Sequence, residues 1–228
     1  MFRTRTRYIT LIVGIAAAVA LAATATGCGS ESKASASTQP KMTHMSPGGT
    51  SDAANLRVAL DNLLGEHAAL AMNATNAGYS GLKSFPSIAA QLDKNSVALS
   101  KAIGSVYGNA AGNTFLNGKD MWRDHIKFFV DYTVALASHD NAGQKAAVAN
   151  LGKYVSKFGA FLAGATGLPK AAVQNDLLAH VTELKQQLDL YAAGNYAAAA
   201  KTYDNAYQHM FMTGDLLAAA IAKQKHLS

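Results

Sequence analysis

The chain is poor in the residues that lock many small folds or carry reactive chemistry. Of 228 residues, one is cysteine, four are proline and only 15% are charged. A single cysteine leaves no partner for an internal disulfide and excludes thiolate metal storage. From residue 52 onward the only prolines are Pro86 and Pro169, so long helices meet few breaks. The same stretch holds just two glutamates, Glu66 and Glu183. A di-iron carboxylate bundle needs about four carboxylates with paired Glu-x-x-His motifs, and is excluded. His-Glu-x-x-His, Cys-x-x-Cys-His, Gly-x-Ser-x-Gly and phosphate-binding glycine loops are all absent. Basic residues form no block and aromatics do not interleave with lysines, which argues against a nucleic-acid partner.

What is present begins with a leader. Arg3, Arg5 and Arg7 precede an apolar run from Ile9 to Ala23, and Ala25-Thr26-Gly27 then leads into Cys28. Basic, apolar and small segments in that order predict a secretory signal peptide over 1–27. The run is short and alanine-rich, unlike a membrane span. A lone cysteine directly after the small residues resembles the lipobox of bacterial lipoproteins. That resemblance implies that Cys28 carries lipid, palmitate included, and anchors the protein outside the cytoplasm on the cell membrane. Without the leader the formal charge falls from +6 to about +3, because three arginines leave and no acid does. Residues 28–51 are rich in Ser, Gly and Pro and read as a flexible tether, with Met42, His44 and Met45 as a weak copper-catching cluster.

Residues 52–228 read as one all-α domain. Alanine is abundant and no stretch alternates with the period of a strand. Six helices are expected, over 52–75, 86–107, 112–138, 141–165, 169–194 and 195–224, with short connections that favour an antiparallel up-down bundle. The apolar stripes follow spacings of three and four. They comprise Leu56, Leu60, Leu63, His67 and Leu70 in the first helix, and Trp122, His125, Phe129, Tyr132 and Leu136 in the third. The fifth has Val173, Leu177, His180, Leu184 and Leu188, and the sixth His209, Met212, Leu216 and Ala219. Four histidines thus occupy positions where leucine is usual. The first three stand 58 and 55 residues apart, each opening a helical hairpin whose second helix carries Asn95, Tyr154 or His209. This pattern suggests three related hairpins.

A buried imidazole needs a partner for each ring nitrogen. Four in one core imply either a shared ligand or four local solutions. The shared ligand expected is a transition metal, since neutral imidazole suits copper, zinc, iron and nickel, and bundles assemble such sites from facing helices. Met210 and Met212 beside His209 put copper first. The expected set is His67, His125, His180 and His209, with Glu66 or Glu183 orienting an imidazole from outside. Asp124, Tyr132, Tyr203 and Tyr207 are nearby polar groups. Haem held between two histidines would use the same residues. The alternative is a non-catalytic structural or interaction module of the cell envelope with locally satisfied histidines. No nucleophile or acid–base pair marks out an enzyme, so binding, sequestration or transfer is expected rather than catalysis.

Four phrases carry a further resemblance: Glu66-His67; Asn95-Ser96-Val97-Ala98-Leu99; Trp122-Arg123-Asp124-His125 with the following Ile126 to Thr133; and His209-Met210-Phe211-Met212-Thr213-Gly214-Asp215. Together they are similar to a group of secreted, all-helical bacterial proteins of undefined function, some labelled "copper amine oxidase-like". The resemblance spans most of 55–225 and implies that the histidine phrases belong together. It does not imply the oxidase reaction, which needs a His-x-His copper pair and a tyrosine-derived quinone in a large β-rich domain.

Overall fold

A computed structural model describes residues 51–228. The leader, Cys28 and nearly all of the tether, with Met42, His44 and Met45, lie outside the described residues. Among the described residues there are seven helices and no strand: α1 (Asp52–Tyr79), α2 (Phe85–Tyr107), α3 (Asn109–Asn117), α4 (Trp122–Ala137), α5 (Asn141–Thr166), α6 (Lys170–Ala192) and α7 (Tyr196–Lys225). They pack as an all-α bundle. None of them is long and apolar enough to cross a membrane.

Local chemistry sets most boundaries. The Ser51 hydroxyl accepts a hydrogen bond from the Ala54 amide and starts α1. Asp140 accepts from the amides of Ala142 and Gly143 at the start of α5, and Asn195 accepts from the Ala198 amide at the start of α7. Pro86 lies in the first turn of α2, where its missing N–H is not needed. Gly167 ends α5 with a left-handed φ of 75°.

Two expected boundaries move. The first helix was expected to stop at residue 75, before Asn76-Ala77-Gly78, but α1 continues to Tyr79. Ala77 and Gly78 are buried there against neighbouring helices, and that burial outweighs the stop signal. The third helix, expected over 112–138, is instead two: α3 and α4, separated at residues 118–121. Asp120 takes a left-handed φ of 59° in this break. Its backbone N–H donates to the Asp124 carboxylate at 2.7 Å, and its side chain pairs with Lys157 of α5 at 2.8 Å. Asp120 therefore fixes the break through two charged contacts.

α1 runs through the middle of the bundle and packs on α2, α4, α6 and α7. Its buried stripe is Leu56, Leu60, Leu64, His67, Ala68, Ala71 and Met72. Leu63 and Leu70, expected in that stripe, are only half-buried against it. α7 departs further. Its buried stripe is Ala206, Met210, Thr213, Leu217 and Ile221, one residue out of phase with the expected His209, Met212, Leu216 and Ala219. Met212 is 63% exposed. Alanines on several sides of this helix leave its apolar face poorly defined, and close packing against α1 decides the rotation.

That packing depends on glycine. A Cβ on Gly214 of α7 would lie 3.1 Å from the Asp61 backbone of α1 and closer still to its side chain. Backbone cannot swing aside as a side-chain tip can. Gly214→Ala is expected to destabilise the domain by about 1–3 kcal/mol, read from urea unfolding midpoints. An unchanged midpoint would show that α1 and α7 are not this tightly apposed.

Candidate metal centre

Three hairpins, α1–α2, α4–α5 and α6–α7, each send one histidine inward from their first helix. His67 comes from α1, His125 from α4 and His180 from α6. Their exposures are 0%, 1% and 3%. One ligating ring nitrogen from each lies within 4.8 Å of the others. The Nε2 atoms of His67 and His125 are 3.4 Å apart. Imidazoles around one ion at about 2.0–2.1 Å need nitrogens roughly 3.3–3.6 Å apart. The closest pair already meets that spacing, and small side-chain adjustments bring in the third.

The remaining ring nitrogens have no well-formed hydrogen bonds to the protein. Nδ1 of His67 and both nitrogens of His180 are buried without a hydrogen bond, and Nδ1 of His125 has no well-formed one, only the weak pull of the Trp122 backbone on its ring. Each such group costs about 1–3 kcal/mol relative to a satisfied one. Ordinary core histidines find a carbonyl or hydroxyl, and this cluster leaves three nitrogens without one and a fourth only weakly held.

Aromatic rings fix the imidazoles. Trp122 packs on His67 with ring centroids 4.5 Å apart and on His125 at 4.9 Å. Its indole N–H donates to Ser96 Oγ at 3.1 Å, which holds the ring in place. Tyr154 stacks on His125 at 4.5 Å and 18°. These contacts limit ring rotation.

Burial also sets the protonation state. Desolvation pushes His67 well below its ordinary 6.5, helped by the like charges His125 and His180 would carry. Desolvation takes His125 down to about 3, against the opposing pull of the Trp122 backbone. His180 falls to about 3 for the same main reason, with smaller contributions from His125 and His209. All three imidazoles are therefore neutral at pH 7, the state that ligates metal.

His209 does not join them. Its position at the edge of the α7 stripe brings it to two carboxylates: Nδ1 is 2.8 Å from Glu183 Oε2, and Nε2 is 3.2 Å from Asp176 Oδ1. Thr213 Oγ1 donates to Asp176 Oδ2 at 3.0 Å. The Asp176 hydrogen bond raises the His209 pKa to about 9, with Glu183 adding to it and burial opposing it. His209 is thus an imidazolium held by two acids. Because its folded pKa is raised, its contribution is full below 6.5 and is lost as pH climbs through about 9. Stability is expected to decline by about 1–2 kcal/mol across that window after allowing for solvent screening. His209→Gln should flatten the decline in urea midpoints, and a flat wild-type profile would contradict the ion pair.

The other expected residues lie elsewhere. Glu183 does orient an imidazole, but that of His209. Glu66 is exposed and accepts a hydrogen bond from Asn95 Nδ2 at 2.8 Å. Asp124 accepts from the Asp120 backbone, and Tyr132 donates to Asp189 at 2.6 Å. Tyr207 packs on Phe211 at 5.0 Å. Met210 is buried near His180, whereas Met212 faces solvent.

Asp176 and the stacked Tyr154 are the residues that sequence reading did not single out as part of the site. The signal for Asp176 was there: Asp176, His180 and Glu183 follow one another at spacings of four and three, on one helix face. Three buried histidines thus stand close enough to hold a metal ion, and a fourth sits in a separate ion-paired group beside them. No protein-family model, curated protein or solved structure matches this chain.

Proposed function

We propose that the protein is a lipid-anchored extracytoplasmic carrier that holds one copper(I) ion between His67, His125 and His180, for sequestration or transfer. One observation carries this reading: three neutral, buried imidazoles each place one ring nitrogen within 4.8 Å of the others, with no carboxylate or carbonyl between them. The leader and Cys28 support the location and the anchor.

The charge of the site favours copper(I) over zinc or copper(II). Neutral ligands cancel none of the ion's charge, and the nearby carboxylates of Asp176 and Glu183 are already paired with His209. The desolvation penalty grows as the square of the charge, so a divalent ion incurs about four times that of a monovalent one. Imidazole is a competent copper ligand, and three of them suffice for the low coordination of a monovalent ion. Haem fits less well. A macrocycle needs a slot between its axial ligands, whereas the His67 and His125 centroids are 5.3 Å apart with Trp122 and Tyr154 filling the flanks. For His209 a purely structural role is favoured, because both of its ring nitrogens have protein partners.

Anaerobic copper(I) titration against a chromophoric chelator tests the reading. One equivalent is expected to bind. His67→Ala, His125→Ala and His180→Ala should each weaken binding by more than about a hundredfold, beyond the effect of losing an outer-shell partner. His209→Ala should change it by less than about tenfold. Variants that titrate like the wild type would end the copper reading.

A further inference from the structure

A cleft between α1, α2 and α4 ends at two of the three imidazoles. Its inner wall includes His67, His125, Leu92 and Leu184, and its outer part is formed by the half-buried Phe85, Ile126, Val130 and Val134. The cavity measures about 30 Å³, room for one small molecule. Besides the imidazoles, its polar lining residues are Thr75 and Thr133, and each hydroxyl's proton is already committed to a backbone carbonyl. Thr75 Oγ1 donates to the Ala71 carbonyl at 3.1 Å, and Thr133 Oγ1 donates to the Phe129 carbonyl at 2.7 Å. A water molecule there would find only the imidazole nitrogens and the lone pairs of the two threonine oxygens as partners. A hydrated ion would lose its shell without compensation.

We infer that this cleft admits a small neutral diatomic molecule of the carbon monoxide type, which binds by donating an electron pair, to the open coordination position of an ion held by His67, His125 and His180. The inference rests on the copper reading. Three ligands leave a fourth position free. A cleft of this volume, apolar apart from the imidazoles and two threonine hydroxyls, disfavours charged and bulky ligands. The diatomic adds as a fourth donor to the ion: one metal–ligand bond forms, and neither partner changes oxidation state.

The probe is carbon monoxide on anaerobic, copper(I)-loaded protein, followed by the infrared band of the bound carbonyl and by stopped-flow association. The wild type should show one carbonyl per copper. Val130→Trp at the half-buried mouth and Ala74→Leu deeper in should each slow association at least tenfold, with copper affinity unchanged within twofold. Xenon over the metal-free protein provides a metal-independent readout and should shift the amide signals of Ala74, Val130 and Thr133. Copper-loaded protein that takes no carbon monoxide, or takes it equally fast in both variants, overturns this inference and leaves the copper reading intact. Protein that takes xenon but no copper overturns both. Absence of xenon shifts shows that the cleft is closed to gases and overturns the inference by itself.

Discussion

Metal-free protein is expected to lose stability steeply as pH falls below 6.5 and to unfold by about pH 4–5. The cause is the desolvation of three imidazoles. Unfolded, each titrates near 6.5; folded, His125 and His180 resist protonation until about 3, and His67 is also well depressed. Because the folded pKa lies below the unfolded one, the native state is fully favoured above 6.5. Between 6.5 and 3 the unfolded chain binds protons that the native core refuses. Each histidine then removes about 1.4 kcal/mol of stability per pH unit, about 4 kcal/mol per unit for the three. Domains of this size have about 5–15 kcal/mol in total, so two units are enough to unfold most of them. Urea midpoints at pH 7, 6 and 5 measure the slope. His180→Leu should reduce it by about a third. A slope below one proton would mean that water reaches the rings. One equivalent of copper(I) should flatten the upper part of the curve, since the bound ion holds the same nitrogens against protons.

Replacing all three histidines with leucine is expected to raise metal-free stability by about 2–6 kcal/mol while abolishing copper binding. The gain comes from removing three unpartnered nitrogens and one weakly held, each worth about 1–3 kcal/mol, less the strain of refitting a differently shaped apolar side chain. A set of histidines kept for structural reasons predicts the opposite sign. Chemical denaturation of the metal-free triple variant at pH 7 distinguishes the two. A less stable variant would mean that the imidazoles contribute contacts to the core that the ring and hydrogen-bond geometry does not reveal.

How far the sequence could be read depended on how sharply each helix defined its own face. α6 carries Val173, Leu177, His180, Leu184 and Leu188 among polar neighbours, and all five are buried as expected. α4 is less sharply marked: Trp122, His125, Phe129 and Tyr132 are buried as expected, but Ile126, Phe128 and Val130 lie between them and the expected Leu136 is only partly buried. α7 is marked least. Its alanines fit either side of the helix, so the face is chosen by the Gly214–Asp61 and Gly65–Phe211 contacts with α1, which are long-range in sequence. That one-residue rotation moves His209 out of the three-histidine group and beside Asp176. The α3–α4 break was hidden for a related reason: Gly118-Lys119-Asp120 is an ambiguous signal until Lys157 of a distant helix arrives to neutralise Asp120. The convergence of His67, His125 and His180 was legible because each lies on an apolar stripe with spacings of three and four. The absence of hydrogen-bond partners around them was not, since it depends on what three separate helices fail to offer.

Each imidazole is donated by a different hairpin, from points more than fifty residues apart along the chain. No fragment of one or two hairpins can present the full set, so an ion captured there certifies that the whole domain has assembled. Once bound, it cross-braces α1, α4 and α6. Hydrogen exchange in those helices should then slow together, because none of them can open without first releasing the cargo.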